Sequence, residues 1–242
     1  MTPASSNNGV SLQDRLKKEA GVSAVDFVES GMVVGLGTGS TTRFALEELG
    51  QRLKEGRLKD IVGICSSIQT EKRAKDLGIP IITFDEKQEL DLTIDGADEV
   101  DPELNLIKGG GGALLREKVL AQASKRNIMI VDESKLSPML GTHFPVPIEV
   151  IPFAWMPVAN FIKSLGGDPV LRKKEGGEPY TTDQNNYILD SNFGPISNLE
   201  ELAQKFGQKA GIVEFGLFLG TASEVIVATS NGIRYQKRDD SK

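Results

Sequence analysis

Apolar residues in the first 140 positions occur in short runs that alternate with segments of helical periodicity. The runs are almost continuously apolar, which is typical of strands covered on both faces of a sheet. They are MVVGLG at 32–37, IVGICSS at 61–67, IPIITF at 79–84, DLTIDG at 91–96 and NIMIVD at 127–132. Strands that alternate with helices predict an α/β fold with an open, mostly parallel sheet.

Two of the segments between these runs carry a helical spacing. Leu46, Leu49 and Leu53 recur at i, i+3 and i+7, and apolar residues recur at positions 115, 119 and 123. Each set lies on one face of a helix, so we expect both faces to pack on the sheet.

The pattern changes after about Gly141, where prolines become frequent. It then predicts a helix at 156–165, a strand at 187–193, a helix at 198–206 and an apolar run at 211–218. The segment from 223 to 235 indicates two strands joined by a turn at Asn231–Gly232. We therefore predict a main domain of residues 1–140 plus 214–242 and a small α+β domain of residues 141–213.

Composition narrows the class of protein. The 242 residues are 39% hydrophobic, which is enough for a packed core, and the net charge of −6 disfavours binding to nucleic acid or to an anionic membrane. No apolar run approaches the roughly 18 residues that span a bilayer, and the polar residues 1–10 lack the apolar core of a signal peptide. Cys65 is the only cysteine and fits a reducing compartment, while a single histidine, His143, excludes a His-rich zinc site.

A glycine-rich loop, GLGTGSTT at 35–42, follows the first strand and leads into the first helix of the alternating pattern. Its amides and four hydroxyls suit an anion, and ligands of open α/β sheets lie at the carboxyl ends of strands. Nucleotide motifs fit poorly, because the spacing is G-x-G-x-G, no lysine follows the last glycine, and the second strand ends in Ser66–Ser67 instead of an acidic residue. A tight turn without a ligand is the alternative.

An acidic cluster, DGADEVD at 95–101, follows the fourth predicted strand. Asp95 and Asp98 are the better functional candidates because they come directly after a strand, whereas Glu99 and Asp101 are expected to face solvent. A solvated acidic turn is the alternative, and the spacing does not fit a calcium loop.

A second glycine-rich segment, KGGGGALLREK at 108–118, begins with Lys108 and enters the helix that carries Glu117. The positions three and four residues away from Glu117 are apolar, which would desolvate its carboxylate and raise its pKa toward that of a general base. An exposed glutamate between two basic residues is an equal alternative. Lys135 is either a surface lysine or a neutralising partner for a phosphate. Glycine loops beside carboxylates suggest proton chemistry on a phosphorylated small molecule.

The chain also resembles a known enzyme family. The matching segments are GLGTGSTT, SSIQTEK, IDGADEVD, KGGGGALLREK, VDESK, PVPIEV and GGDPVLR. In this order they resemble ribose-5-phosphate isomerase of type A, and the resemblance covers roughly residues 12–236. The LLREK and DGADEVD sequences are most similar to the plant branch of this family. The resemblance implies interconversion of D-ribose 5-phosphate and D-ribulose 5-phosphate through a cis-enediolate, without metal or cofactor. It also implies a Rossmann-like main domain and a small ferredoxin-like domain used in homodimer or homotetramer contacts.

The resemblance assigns roles to matching positions. Glu117 matches the base that moves the proton between C2 and C1, Asp95 matches a carboxylate linked to ring opening, and Lys108 matches the group that stabilises the enediolate. The substrate-binding positions match Thr38, Gly39, Ser40, Thr41, Asp95, Gly96, Ala97, Asp98, Lys108, Gly109, Gly110, Gly111, Lys135 and Lys17. Which carboxylate opens the sugar ring stays open.

Three other functions fit the sequence less well. A sugar-phosphate-sensing regulator would need a helix-turn-helix and a basic face. A nicotinamide dehydrogenase would need a ribose-binding carboxylate. A deaminase or acyl-CoA transferase of related architecture would lack the DGADE and KGGGGALLREK pair. The expected compartment is the cytoplasm, or the plastid stroma if a transit peptide has been removed.

Overall fold

A six-stranded sheet lies at the centre of the protein, which a computed structural model describes from residue 11 to residue 238. Labels follow the order along the chain. In spatial order the strands are β13 (Gly232–Lys237), β12 (Glu224–Thr229), β6 (Asn127–Asp132), β3 (Leu92–Gly96), β1 (Val33–Leu36) and β2 (Val62–Cys65). Within this six-stranded sheet only β12 and β13 pair antiparallel, and the other neighbouring strands are parallel. The predicted open, mostly parallel Rossmann-like sheet is therefore confirmed. The polar segment 1–10 lies outside the described residues.

The strand order places a ligand site between β1 and β3. From β1 the chain runs outward to β2 and then returns to β3 on the other side of β1. Where the order reverses in this way, the loops at the carboxyl ends of the strands diverge and leave a crevice. The loop after β1 is the first glycine-rich loop, and β3 ends at Asp95 and Gly96.

Helices cover both faces of the sheet. They are α1 (Leu12–Val25), α2 (Thr42–Lys54), α3 (Ile68–Asp76) and α4 (Leu114–Ala123). The predicted face of α2 is confirmed at Leu46 and Leu49, which are buried in the main core. The predicted face of α4 is wrong, because Val119 is exposed while Leu114 and Leu120 are buried.

One predicted strand and one apolar run take a different form in the structure. The run at 79–84 forms only a bridge from Ile81 to Gly63 at the outer edge of β2, and Pro80 has no N–H to extend the pairing. The run at 211–218 forms two strands, β10 (Ile212–Phe215) and β11 (Leu217–Phe218), which are separated by Gly216. A Cβ at Gly216 would lie 2.3 Å from the carbonyl oxygen of Lys108, so only glycine allows this close approach.

A smaller antiparallel sheet and two helices form the α+β unit. Their order along the chain is β7 (Val146–Val150), α5 (Trp155–Ser164), β8 (Asp168–Leu171), β9 (Tyr187–Asn192), α6 (Leu199–Gly207) and β10. The spatial order β10-β7-β9-β8 with this βαββαβ connection is the ferredoxin-like arrangement, as expected. The unit spans 146–215, close to the interval 141–213; the division into two domains stays a prediction.

A three-stranded sheet joins the two parts. It pairs β5 (Leu106–Ile107) with β4 (Glu99–Val100) on one side and with β11 on the other. Because β4 lies within the acidic cluster and β5 directly precedes Lys108, this small sheet brings the second glycine loop back to the end of β3.

No helix between residues 11 and 238 combines the length and the apolar character that crossing a membrane requires.

Candidate active site

Three buried charged side chains meet at the carboxyl end of the main sheet. Asp95 is the penultimate residue of β3, Lys108 follows β5, and Glu117 lies in the first turn of α4; each is at most 3% exposed. The Nζ atom of Lys108 lies 3.0 Å from Oδ2 of Asp95 and 3.4 Å from Oε2 of Glu117. The ammonium group therefore lies between two buried carboxylates.

Asp95 is held by the backbone of the first glycine loop. Its Oδ1 accepts hydrogen bonds from the amides of Thr38 at 3.2 Å and Gly96 at 2.7 Å. Residue 37 must be glycine for this approach, because a Cβ there would lie 2.2 Å from the same oxygen. Asp95 is thus fixed beneath the loop.

Glu117 lies on the buried side of α4. Leu114, Leu120 and Ala121 are buried around it, as the apolar spacing predicts. The alternative of an exposed glutamate is wrong. Its neighbour Lys118 is also buried, where its Nζ donates to a carboxylate oxygen of Glu214 and to the carbonyl of residue 215, both at 2.6 Å.

The low-dielectric surroundings shift the proton affinity of all three groups. Burial raises the pKa of Glu117 to about 8, against the opposing effect of Lys108. Burial also raises the pKa of Asp95. Burial alone would lower the pKa of Lys108, but the two carboxylates outweigh it and raise that pKa. Glu117 can therefore exchange a proton near neutral pH while Lys108 stays charged.

The Oε2 atom of Glu117 is buried and lies 3.4 Å from the Nζ atom of Lys108. Within residues 11–238 no closer donor reaches this oxygen, so the Lys108 ammonium is the group that compensates its burial.

A cavity of about 250 Å³ opens beside the three charges. Its walls are formed by Lys17, Thr38, Gly39, Ser40, Thr41, Thr42, Gly96, Ala97, Asp98, Lys108, Gly109, Gly111, Glu117 and Lys135. Of the predicted substrate-binding residues, Asp95 and Gly110 do not border it. Asp95 lies behind Lys108 under the first loop, and the amide of Gly110 is already bonded to Asp98 at 2.7 Å.

The first loop presents backbone amides to this cavity. In the part of the chain that the structure describes, the amides of Ser40 and Thr41 have no backbone acceptor, and α2 starts directly after them. The hydroxyl of Thr38 is bonded to Ser66 and Ser67 at the end of β2, so it fixes the loop. Free amides at a helix N-terminus suit a phosphate.

Two members of the acidic cluster were expected to face solvent, and this expectation is wrong. Glu99 is fully buried and accepts hydrogen bonds from the four consecutive amides of residues 141–144. Asp101 is buried as well and accepts from the amide and side chain of Asn105. Both stabilise loops around β4, and neither borders the cavity.

The two predicted lysines both reach the cavity. Lys17 comes from α1, and Lys135 ends a short 3-10 helix, Glu133–Lys135, that follows β6. Both residues are half-buried and line the cavity together with the first loop. Within residues 11–238, no three His, Cys, Asp or Glu side chains are grouped to hold a metal ion.

Arg172 was not among the predicted site residues, but it contacts the second glycine loop. Its Nη1 donates to the carbonyl oxygens of Gly109 at 3.0 Å and Gly110 at 3.1 Å, and the rest of its guanidinium pairs with Asp190. The signal in the sequence was the segment GGDPVLR, which this arginine ends.

Comparison with known proteins places this geometry in one family. The family model described as ribose 5-phosphate isomerase A (phosphoriboisomerase A) matches residues 62–232. Ribose-5-phosphate isomerase A of Desulfatibacillum aliphaticivorans is 56% identical over 225 residues, which is 93% of this chain and 98% of the relative. The protein of the same name from Chloroflexus aurantiacus is 50% identical over 224 residues, or 93% and 94% of the two chains.

Solved structures agree with the sequence relatives. A D-ribose-5-phosphate isomerase in complex with phospho-erythronic acid superposes with a TM-score of 0.92 at 39% identity and covers 94% of this chain and 100% of its own. Ribose 5-phosphate isomerase from Plasmodium falciparum gives a TM-score of 0.90 at 40% identity, with coverage of 93% and 99%.

Proposed function

The chain belongs to the ribose 5-phosphate isomerase A family, and we propose that Glu117 moves the proton in its interconversion of ribose 5-phosphate and ribulose 5-phosphate. The observation that supports this role is the buried carboxylate of Glu117, next to the Lys108 ammonium and on the wall of a cavity bordered by two glycine loops. A raised pKa near 8 suits a group that must both accept and return a proton.

The proton transfer can be written with these groups. Glu117 takes the proton from C2 of the open-chain aldose, the C2–H electron pair forms the C1–C2 double bond, and the carbonyl electrons move to O1. Return of the proton to C1, with transfer of the O2 hydroxyl proton to O1, gives the ketose. The Lys108 ammonium stabilises the negative charge of the cis-enediolate, and Asp95 keeps that ammonium charged and in place.

The remaining cavity residues suit the phosphate end of the sugar. Lys17 and Lys135 supply positive charge, and the amides of Ser40 and Thr41 supply donors. Asp98 and the second loop then lie on the side of the sugar hydroxyls. Phospho-erythronic acid, which a related structure binds, carries a carboxylate that mimics the planar charged enediolate, and we propose that this chain binds it in the same cavity.

One assay tests the function and the absence of a metal from the mechanism. The purified protein is mixed with ribose 5-phosphate in the presence and absence of EDTA, and ribulose 5-phosphate is measured. We expect equal turnover in both samples. A protein without turnover would contradict the function, and activity that disappears with EDTA would contradict metal-free proton transfer.

The pH dependence of the reaction follows from the raised pKa of Glu117. The base must be ionised to accept the C2 proton, so kcat/KM should rise about tenfold per pH unit below the pKa and level off above about 8. Initial rates between about pH 6 and pH 9.5 test this. A profile that is flat through this range would place the essential base elsewhere.

Lys135 should act in phosphate binding. Because it attracts the phosphate equally in the ground state and the transition state, Lys135→Ala should raise KM about tenfold and change kcat little. Lys125→Ala removes an exposed lysine that pairs with Asp91, outside the cavity, and serves as the control. A fall in kcat at unchanged KM would contradict the assignment.

We further propose that the chain forms a homodimer or homotetramer through its ferredoxin-like unit. Phe153 is 94% exposed, and Ile151 and Met156 beside it are exposed as well, which gives an apolar patch that a second copy could cover. Phe153→Asp should reduce the sedimentation coefficient, whereas Leu12→Asp at an exposed site on α1 should not. An unchanged assembly in the Phe153 variant would rule this patch out as the interface.

We also infer a cytoplasmic location. Cys65 is the only cysteine, so the fold contains no internal disulfide that would need an oxidising compartment. Immunodetection after cell fractionation tests this inference, and recovery from a periplasmic or plastid fraction would contradict it.

A further inference from the structure

The second glycine loop needs outside contacts to hold one conformation. It contains four consecutive glycines, and Gly109 and Gly112 have φ values of +105° and +79°. Glycine loses more conformational freedom on ordering than any other residue, so such a loop is poorly fixed by its own sequence. It connects Lys108 to the helix of Glu117, and its conformation therefore matters to the site.

The ferredoxin-like unit supplies those contacts. Arg172 directly follows β8, and its Nη1 donates to the carbonyls of Gly109 and Gly110. Its Nε and Nη2 bind the two carboxylate oxygens of Asp190 on β9, at 2.9 and 2.5 Å. This bidentate pairing fixes the orientation of the guanidinium, and therefore the direction in which Nη1 donates.

Fixing these carbonyls also fixes the amides that follow them. In a trans peptide the N–H points away from the preceding carbonyl oxygen. With the carbonyl of Gly109 toward Arg172, the amide of Gly110 points to the opposite side, where it donates to Asp98. With the carbonyl of Gly110 also toward Arg172, the amide of Gly111 is turned away from the arginine.

The amide of Gly111 is available to a ligand. Gly111 borders the cavity, and its N–H has no backbone acceptor between residues 11 and 238. A donor fixed in this way is suited to an oxygen on which negative charge develops, because it needs no rearrangement during the reaction.

We propose that Arg172, held by Asp190, is a positioning residue that directs the amide of Gly111 onto an oxygen of the reacting sugar. The proposal rests on the isomerase function argued above. On this proposal the ferredoxin-like unit contributes to the active site. Arg172 acts through the peptide groups of the second glycine loop and does not touch the substrate.

Arg172→Gln tests the proposal through three measurements. We expect kcat to fall about 10- to 100-fold with little change in KM, since a displaced donor weakens transition-state binding. The affinity for phospho-erythronic acid should fall with kcat, and the pH at which kcat/KM levels off should not move. Arg172→Lys, which keeps the charge without the fork, should show a similar loss.

The matched control is Arg52→Gln. Arg52 is 13% exposed and binds Glu48 on α2 and Asp26 directly after α1, whereas Arg172 is 15% exposed and binds Asp190. We expect unchanged kcat in this control. If Arg172→Gln does not fold, Asp190→Asn loosens the same arginine with a smaller change and is expected to give the same three results.

Two outcomes would overturn the proposal. One is kcat and inhibitor affinity within about twofold of the wild-type values in the Arg172 variants. The other is a loss of rate with a shifted pH profile, which would place the effect on Glu117 or Lys108. A wild-type protein that does not isomerise ribose 5-phosphate would instead refute the proposed function, so the two failures are distinguishable.

Discussion

Glu117→Gln is expected to lower kcat about 10²- to 10⁴-fold while the protein still binds phospho-erythronic acid. Glutamine has nearly the shape of glutamate, so the packing against Leu114 and Leu120 is kept. It cannot take a proton from C2, however, and the buried ammonium of Lys108 still has Asp95 as a partner. Steady-state turnover and calorimetric titration with phospho-erythronic acid separate loss of chemistry from loss of binding.

Glu149→Gln provides the matched control for this experiment. Glu149 is also a buried glutamate whose pKa is raised by burial, but it lies on β7 outside the cavity and accepts from Thr182 and Asn186. Its substitution should affect stability more than kcat. If Glu117→Gln retains kcat within a few-fold of wild type, Asp95 becomes the next candidate for the base.

The fold could largely be predicted from the sequence because strands of a buried parallel sheet are almost entirely apolar. Four of the five predicted runs before residue 140 form strands of the central sheet. The run at 79–84 has the same composition but lies beyond the edge strand, where Pro80 limits pairing. The position of a segment in the sheet depends on the whole fold and cannot be predicted from its apolar content alone.

Burial of charged residues was predictable only where the neighbours were local. The apolar residues around Glu117 on α4 indicated its burial, and the structure agrees. Glu99 was misjudged because its four donors come from residues 141–144, more than 40 positions away. Such a distant set of amides leaves no periodic signal in the sequence.

In the candidate site, too, local features could be predicted from the sequence and contacts between distant segments could not. The two glycine loops follow directly after strands, and the topology brings Asp95, Lys108 and Glu117 together beside them. Arg172 reaches the second loop from a different sheet, and only the matched segment GGDPVLR pointed to that part of the chain. Contacts between units depend on their packing, which residue patterns within each unit do not specify.

Lys108→Met is expected to reduce activity and stability together. Methionine keeps an unbranched side chain that is one atom shorter, but it removes the ammonium between two buried carboxylates. Removing one partner of a buried ionic group costs about 3–5 kcal/mol of the free energy of unfolding. Loss of the positive charge beside the enediolate should lower kcat about 10²- to 10³-fold.

The stability of Lys108→Met should decrease as the pH rises. Burial raises the folded-state pKa values of Asp95 and Glu117, and without the ammonium only the amides of Thr38 and Gly96 oppose this effect, at Asp95. A group with a raised folded pKa contributes stability below its unfolded pKa, about 4 for a carboxyl, and loses that contribution as the pH rises through the folded value. The urea midpoint of Lys108→Met should therefore fall between about pH 5 and pH 8, and more steeply than that of the wild type.

A double variant separates the two effects of Lys108. Lys108→Met combined with Asp95→Asn removes one of the unpaired carboxylates, so the urea midpoint should recover in part while kcat stays low. Lys118→Met, which removes another buried ammonium, this one paired with Glu214, should cost stability with a much smaller loss of kcat. A double variant that regains activity would contradict the electrostatic role of Lys108. Recovery of stability alone would show that the buried ammonium serves the transition state as well as the fold.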